Sequence, residues 1–133
     1  MYEIEPIPDS DLIYLRVPKV YIDPDGVVIH RAFEEHDGGM STNWAKYATP
    51  ESTRQQVVAN QKEPKNYGVL SFVAGEVRRI ENTTVEHTPI FPDNRSHTDV
   101  TGPGPKTPIG YQTMVRVKLA GMCNWCLHPA EKM

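Results

Sequence analysis

Short runs of apolar residues separated by polar turns predict a chain built mainly of short strands. Two runs are almost continuously apolar, which is typical of strands buried in a core: residues 11–17 (DLIYLRV) and 67–73 (YGVLSFV). Shorter alternating runs predict a hairpin and two further strands: residues 19–22 with 27–33 around the turn DPDG, 82–90, and 97–102.

Helix signals are fewer than strand signals. Residues 49–51 (Thr-Pro-Glu) combine an N-capping hydroxyl, a proline at the first helical position and an acid in the first turn. This combination predicts a helix over residues 49–61, lying on the surface. Two shorter segments predict one or two helical turns each: residues 40–48 and 74–80.

The C-terminal region carries the clearest helical pattern. Four apolar residues recur at i, i+4, i+7 and i+11: Val115, Leu119, Met122 and Cys126. Such a stripe predicts an amphipathic helix over residues 108–127, ended by Pro129.

Length and composition favour a single domain with many turns. The chain has 133 residues, with 9 glycines and 12 prolines, a content that excludes a plain helical bundle. We predict a flexible acidic segment over residues 1–10, followed by one compact domain over residues 11–133. The predicted class is α+β: about five short, mostly antiparallel strands packed by a C-terminal helix and one or two shorter helices.

The net charge and the first residues limit the expected partners and the expected cellular location. The formal net charge is −3, so no overall basic field argues for nucleic acid as a partner. The opening residues MYEIEPIPDSD lack the basic start and apolar run of a secretory signal. We therefore expect a cytoplasmic protein with no membrane partner.

The run CNWCLH contains one Cys-x-x-Cys spacing, and three interpretations stay open. Cys123, Cys126 and His128 would supply part of a zinc site, with His97 or His87 as a fourth ligand. The two thiols would otherwise form a redox pair, although they fall at the wrong end of the predicted helix for a lowered thiol pKa. The favoured interpretation makes both cysteines small apolar core residues, with no cofactor.

Residues 93–99 (DNRSHTD) place an acid, a base, a hydroxyl and an imidazole at a loop-to-strand junction. His97 is a candidate general base, with Asp93 or Asp99 to orient it and Arg95 or Arg16 to stabilise charge. Ser96 cannot easily serve as its nucleophile, because adjacent residues on a strand point to opposite faces. The alternative is a turn held by side-chain hydrogen bonds.

Arg16 lies inside an apolar strand, where a buried guanidinium needs a carboxylate or a ligand phosphate. The alternative is an outward-facing position. Arg16 together with residues 38–42 (GGMST) resembles the ADP-ribosyltransferase-like enzymes. These enzymes hold a nicotinamide dinucleotide between a first-strand Arg or His and a later Ser/Thr strand. That resemblance implies a nucleotide site, but it leaves the family's catalytic glutamate without a counterpart here.

Four segments in order resemble a group of small, uncharacterised bacterial proteins: DSDLIYLRVP, MSTNWAKYATPE, YGVLSFVAGEVRRI and FPDNRSHTDVTG. The resemblance spans most of the chain and implies one compact bacterial domain. It implies no activity.

On balance the sequence favours a non-catalytic protein-interaction domain, an accessory or adaptor of a larger bacterial system, over an enzyme. Its partner would be another protein encoded nearby, and a homo-oligomer is left open. Trp125 and Trp44 are the candidate anchors, because tryptophan is enriched in binding hot spots, and Arg95 and His97 would add polar contacts. The alternatives are a small enzyme acting on a nucleotide or nucleic acid phosphate through His97, or a zinc-stabilised module.

Overall fold

The computed structural model describes residues 1–33, 39–102 and 109–129. Six strands form one sheet: β1 Leu12–Pro18, β2 Met40–Trp44, β3 Tyr67–Val73, β4 Thr84–His87, β5 His97–Thr101 and β6 Asn124–Leu127. Their order across the sheet is β4-β5-β2-β1-β3-β6, and every neighbouring pair is antiparallel. The predicted α+β class is confirmed, with six strands instead of about five.

Three α-helices accompany the sheet: α1 Pro50–Gln55, α2 Ala74–Arg78 and α3 Ile109–Met122. The described residues also contain four short 3-10 turns: Lys19–Tyr21, His30–Phe33, Gln56–Asn60 and Pro64–Asn66. The predicted start of α1 is confirmed, since Thr49 Oγ1 accepts from Ser52 N at 3.0 Å and Ser52 Oγ accepts from Thr49 N at 2.9 Å. This reciprocal pair satisfies two backbone donors that the first helical turn leaves free. Within the described residues, no helix is both long and apolar enough to cross a membrane.

One face of the sheet forms the hydrophobic core. Alternate residues along a strand share a face, and the completely buried ones on this face include Ile13, Val17 and Phe72. Val115 and Leu119 of α3 join the same cluster, as the helical stripe predicts.

The opposite face is polar and only partly covered. Helix α1 contacts β1, β3 and β6 on this side, and Thr53 and Val57 are buried beneath it. The prediction that this helix lies on the surface therefore holds for its outer side only. Beside α1 the sheet face stays open over β2 and β5, and a polar cleft lies at that boundary.

Three predicted elements differ from the structure in part. The chain does reverse around the DPDG turn, with antiparallel backbone hydrogen bonds from Asp23 N to Val27 O at 2.8 Å and from Ile29 N to Tyr21 O at 2.9 Å. The predicted strands of this hairpin are reduced to one bridge between Ile22 and Val28, flanked by two 3-10 turns. Residues 40–48 begin as strand β2 instead of a helical turn. Helix α3 ends at Met122, because the following residues pair with β3 as β6 and satisfy their backbone groups there. Its predicted first residue, Pro108, lies outside the described residues.

The N-terminal segment, predicted as a flexible lead-in, lies against the sheet. Ile7 is buried in the core cluster. The Arg78 guanidinium donates to the Ile7 carbonyl and to Asp9 Oδ1, each at 2.7 Å. The Glu5 carboxylate accepts hydrogen bonds from Lys46 and Tyr47.

These two hydrogen bonds lower the pKa of the Glu5 carboxyl below its ordinary value of 4.5. A carboxyl whose pKa is lowered by folding stabilises the protein above its unfolded-state pKa, and the stabilisation is lost as pH falls through the lowered value. We therefore expect Glu5→Gln to be less stable than the wild type at pH 7. Urea unfolding at several pH values should show the difference beginning to shrink below about pH 4.5, where Glu5 of the unfolded chain takes up a proton, and vanishing only below the lowered pKa of the folded protein. A difference that is constant with pH would contradict this assignment.

Candidate functional site

A cleft of about 260 Å³ lies between α1 with the following 3-10 turn and the open half of the polar sheet face. Strands β1, β2 and β5 form its floor, and the loop before β5 closes one side. The side chains on which its chemistry depends are Arg16, Ser41, Asn43, Gln56, Asn94 and His97. Candidates from distant parts of the sequence therefore meet in one place.

Arg16 is the cation of this cleft. Its Nη1 donates to the Thr53 carbonyl at 3.0 Å and to Gln56 Oε1 at 2.9 Å. Among the described residues, no carboxylate forms an ion pair with it. Burial lowers the pKa of the Arg16 guanidinium, although a guanidinium still stays protonated at neutral pH. The site thus holds a partly desolvated positive charge that only neutral groups contact.

A chain of side-chain amides fixes the floor of the cleft. Gln56 Oε1 also accepts from Asn43 Nδ2 at 2.8 Å, and Asn43 Oδ1 accepts from Asn94 Nδ2 at 2.9 Å. Asn94 Oδ1 accepts in turn from the Ser96 backbone N–H at 3.1 Å. Asn43 and Asn94 use both ends of their amides, and Gln56 Oε1 accepts two hydrogen bonds, so helix, strand and loop are held in register around Arg16.

His97 is oriented by the backbone. Its Nδ1 lies 3.0 Å from the Thr88 carbonyl oxygen and 3.0 Å from Thr88 Oγ1. Because a carbonyl oxygen can only accept, Nδ1 carries the proton, and Nε2 is then an acceptor. Ser41 Oγ lies 3.2 Å from that Nε2, and Asp99 Oδ1 lies 4.0 Å from it.

The remaining members of the 93–99 cluster are placed differently. Asp99 borders His97 without a hydrogen bond, and Asp93 is exposed in the preceding turn. Ser96 is buried in the turn before β5, and its hydroxyl donates to Asn94 Oδ1. The exposed Arg95 side chain lies over the rings of Tyr2 and Tyr47, away from the cleft.

The zinc and redox interpretations of the C-terminal cysteines stay predictions, and the structure gives the contacts of the residues involved. No group of three or more potential ligands among His, Cys, Asp and Glu lies together within the described residues. Cys123 Sγ donates to the Ala120 carbonyl at 3.3 Å, and burial raises the pKa of its thiol, the opposite of a reactive cysteine. His87 is buried in the core, and His128 stacks on Trp125.

The two tryptophans have structural contacts that sequence does not reveal. Trp44 is buried, with Nε1 donating to Asp11 Oδ2 at 2.9 Å, so it offers no surface for a partner. Trp125 belongs to β6 instead of the helix, and it is half-buried. Its ring lies so close to Gly68 that a Cβ at residue 68 would be 2.5 Å from Trp125 Cζ3.

The sequence singles out Arg16 and His97, and it includes Ser41 only as part of the GGMST run of the enzyme resemblance; it does not point to Asn43 or Gln56. Ser41 and Asn43 share one face of β2 because they are two residues apart on a strand. That alternation is present in MSTNW, where Met40, Thr42 and Trp44 face the core. The expectation of a helical turn over these residues concealed it.

No family model, curated protein or solved structure matches this chain. Its function must therefore be inferred from the geometry of the cleft.

Proposed function

We propose that the cleft binds a small molecule carrying a phosphate ester, with a mononucleotide or a sugar phosphate as the size class. Arg16 would hold the phosphate. The asparagine and glutamine amides would fix its orientation, and Lys62 at the rim would add a second positive charge. This is the nucleotide or phosphate alternative of the sequence analysis, with Arg16 as its central residue.

The unpaired charge of Arg16 is the observation that carries this proposal. Partly desolvating a guanidinium without an ionic partner is unfavourable, and a bound anion would offset that cost. The planar guanidinium matches the oxygens of phosphate in a two-point contact. The Arg16 side chain lines the cleft while only its Nη1 is engaged by the described residues.

The protein-interaction role predicted from sequence stays a prediction. Of its two anchors, Trp44 lies in the core, and Trp125 is half-buried against Gly68 and His128. The polar cleft brings together a more specific set of side-chain contacts than the surroundings of either tryptophan.

Isothermal titration calorimetry with ribose 5-phosphate, adenosine 5′-monophosphate and inorganic phosphate tests the proposal. Adenosine and ribose serve as uncharged controls. We expect the phosphate esters to bind and the uncharged compounds to bind at least tenfold more weakly. Affinity should fall between 50 and 500 mM salt, because an exposed cleft is screened.

Arg16→Gln should weaken binding of the phosphate esters by about 10- to 150-fold, the equivalent of about 1.5–3 kcal/mol for a charged hydrogen bond. The glutamine amide can still donate to the Thr53 carbonyl, so the fold should persist. Arg79→Gln removes one positive charge from an exposed position on another surface, and it should leave the affinity unchanged. Equal losses in the two variants, or no binding by the wild type, would refute the proposal.

A further inference from the structure

The geometry points to Ser41 as a nucleophile and His97 as its general base, which makes the protein a hydrolase of phosphate esters. We infer this from the hydroxyl-to-imidazole contact at the floor of the cleft. The substrate class rests on the proposed function, whereas the reactivity of Ser41 can be tested without it.

The contact has the features that activate a serine. Ser41 Oγ is 3.2 Å from His97 Nε2, within reach of a hydrogen bond that tightens when substrate binds. The Thr88 carbonyl fixes the opposite ring nitrogen at 3.0 Å, so Nε2 is the nitrogen that can take a proton. A third group that orients the base completes the arrangement found around activated serines.

Ser41 is also open to substrate and close to the cation. It is exposed, in contrast to the buried Ser96. The β1–β2 ladder ends with Tyr14 paired to Asn43, and beyond that pair Arg16 and Ser41, one on each strand, both line the cleft. We infer that a phosphate held by Arg16 lies within reach of Ser41 Oγ.

The reaction balances with water as the second reactant. Ser41 Oγ forms a bond to phosphorus while the bond from phosphorus to the ester oxygen breaks. The hydroxyl proton passes to His97 Nε2 and from there to the departing alcohol. Water then attacks the phosphoserine, gives a proton to His97, and releases inorganic phosphate while Ser41 regains its proton. Asp99, 4.0 Å from Nε2, would stabilise the transient imidazolium.

A fluorophosphonate probe tests the pair directly, because its neutral phosphorus centre does not need Arg16. Attack by Oγ forms the oxygen–phosphorus bond and releases fluoride. Intact-mass and peptide mass spectrometry should find one adduct, on Ser41. Ser41→Ala should show none, and His97→Ala should label at least 100-fold more slowly. Ser71→Ala, which changes a serine on the same sheet face opposite Tyr14, should label at the wild-type rate.

Circular dichroism of each variant separates loss of reactivity from loss of fold, and Ser41→Ala keeps the test decisive if His97→Ala fails to fold. An absent adduct on Ser41, an adduct only on other residues, or a folded His97→Ala that labels at the wild-type rate would overturn the inference. If Ser41 labels but phosphate esters do not bind, the pair stands and only the proposed substrate class fails. If phosphate esters bind through Arg16 but Ser41 does not label, the site is a binding site alone.

Discussion

Trp44→Ala should lower the free energy of unfolding by about 3–5 kcal/mol, as for other buried tryptophans truncated to alanine. The side chain is only 2% exposed. Its ring meets the rings of Tyr47 and His87 edge-on, with centroid separations of 5.6 Å and 5.1 Å. Removing it leaves a cavity, takes away both aromatic contacts and strips Asp11 of its indole donor. Such a loss is a large part of the total stability of a domain of this size.

Urea unfolding followed by circular dichroism measures this loss. Trp44→Phe separates packing from hydrogen bonding, because it keeps an aromatic ring but removes the donor to Asp11; we expect an intermediate loss of about 1–3 kcal/mol. Trp125→Ala removes a half-buried ring at the edge of the sheet and should cost less than Trp44→Ala. If Trp44→Ala cost no more than a surface substitution, about 0.5 kcal/mol, this tryptophan would not be the core residue described above.

His87→Ala should cost about 2–5 kcal/mol, since it creates a cavity and leaves two backbone groups without their partner. Nδ1 of the buried His87 accepts from the Glu5 backbone N–H at 3.0 Å. Nε2 lies 2.6 Å from the Arg95 carbonyl, and because a carbonyl can only accept, Nε2 carries the proton. One imidazole thus connects the N-terminal segment, the edge strand β4 and the loop that carries Asn94.

Two measurements check this prediction. Urea unfolding gives the overall loss, with the exposed His128→Ala as a matched control that should change stability by no more than about 0.5 kcal/mol. Amide hydrogen exchange should show the Glu5 N–H losing protection in His87→Ala. Unchanged exchange at Glu5 would mean that the histidine does not hold the N-terminal segment.

The fold could be predicted where a strand is buried over most of its length. The limits of β1 and β3 agree with prediction to within one residue, because their apolar runs are bounded by proline, asparagine or glycine. Strand β2 is absent from the predicted strands, and a helical turn is predicted in its place. Its outward residues, Ser41 and Asn43, are polar groups of the cleft. The C-terminal helix was extended too far because Cys126 fits its stripe, yet pairing of Trp125 with Leu70 places that segment in the sheet.

The site could be predicted residue by residue but not as a whole. Arg16 is a candidate because it is a charged residue within an apolar run. His97 is a candidate because acidic and hydroxyl residues lie next to it in the sequence. Their meeting depends on β2 lying between β1 and β5. That order comes from pairings between distant segments, which no local pattern encodes. Ser41, part of the GGMST run, becomes a candidate nucleophile only when strand order brings it beside His97.

The two edge strands, β4 and β6, explain why this open sheet does not readily add a further strand. Both β4 and β6 are four residues long, and a proline follows each within two residues: Pro89 and Pro129. The Val85 carbonyl on β4 also accepts from the Arg78 guanidinium at 2.9 Å. The edge strands are short, the prolines beside them lack an amide hydrogen, and the Val85 carbonyl already accepts a hydrogen bond. All three features disfavour the addition of another chain as a seventh strand. Self-association of this protein through the borders of its sheet is therefore disfavoured.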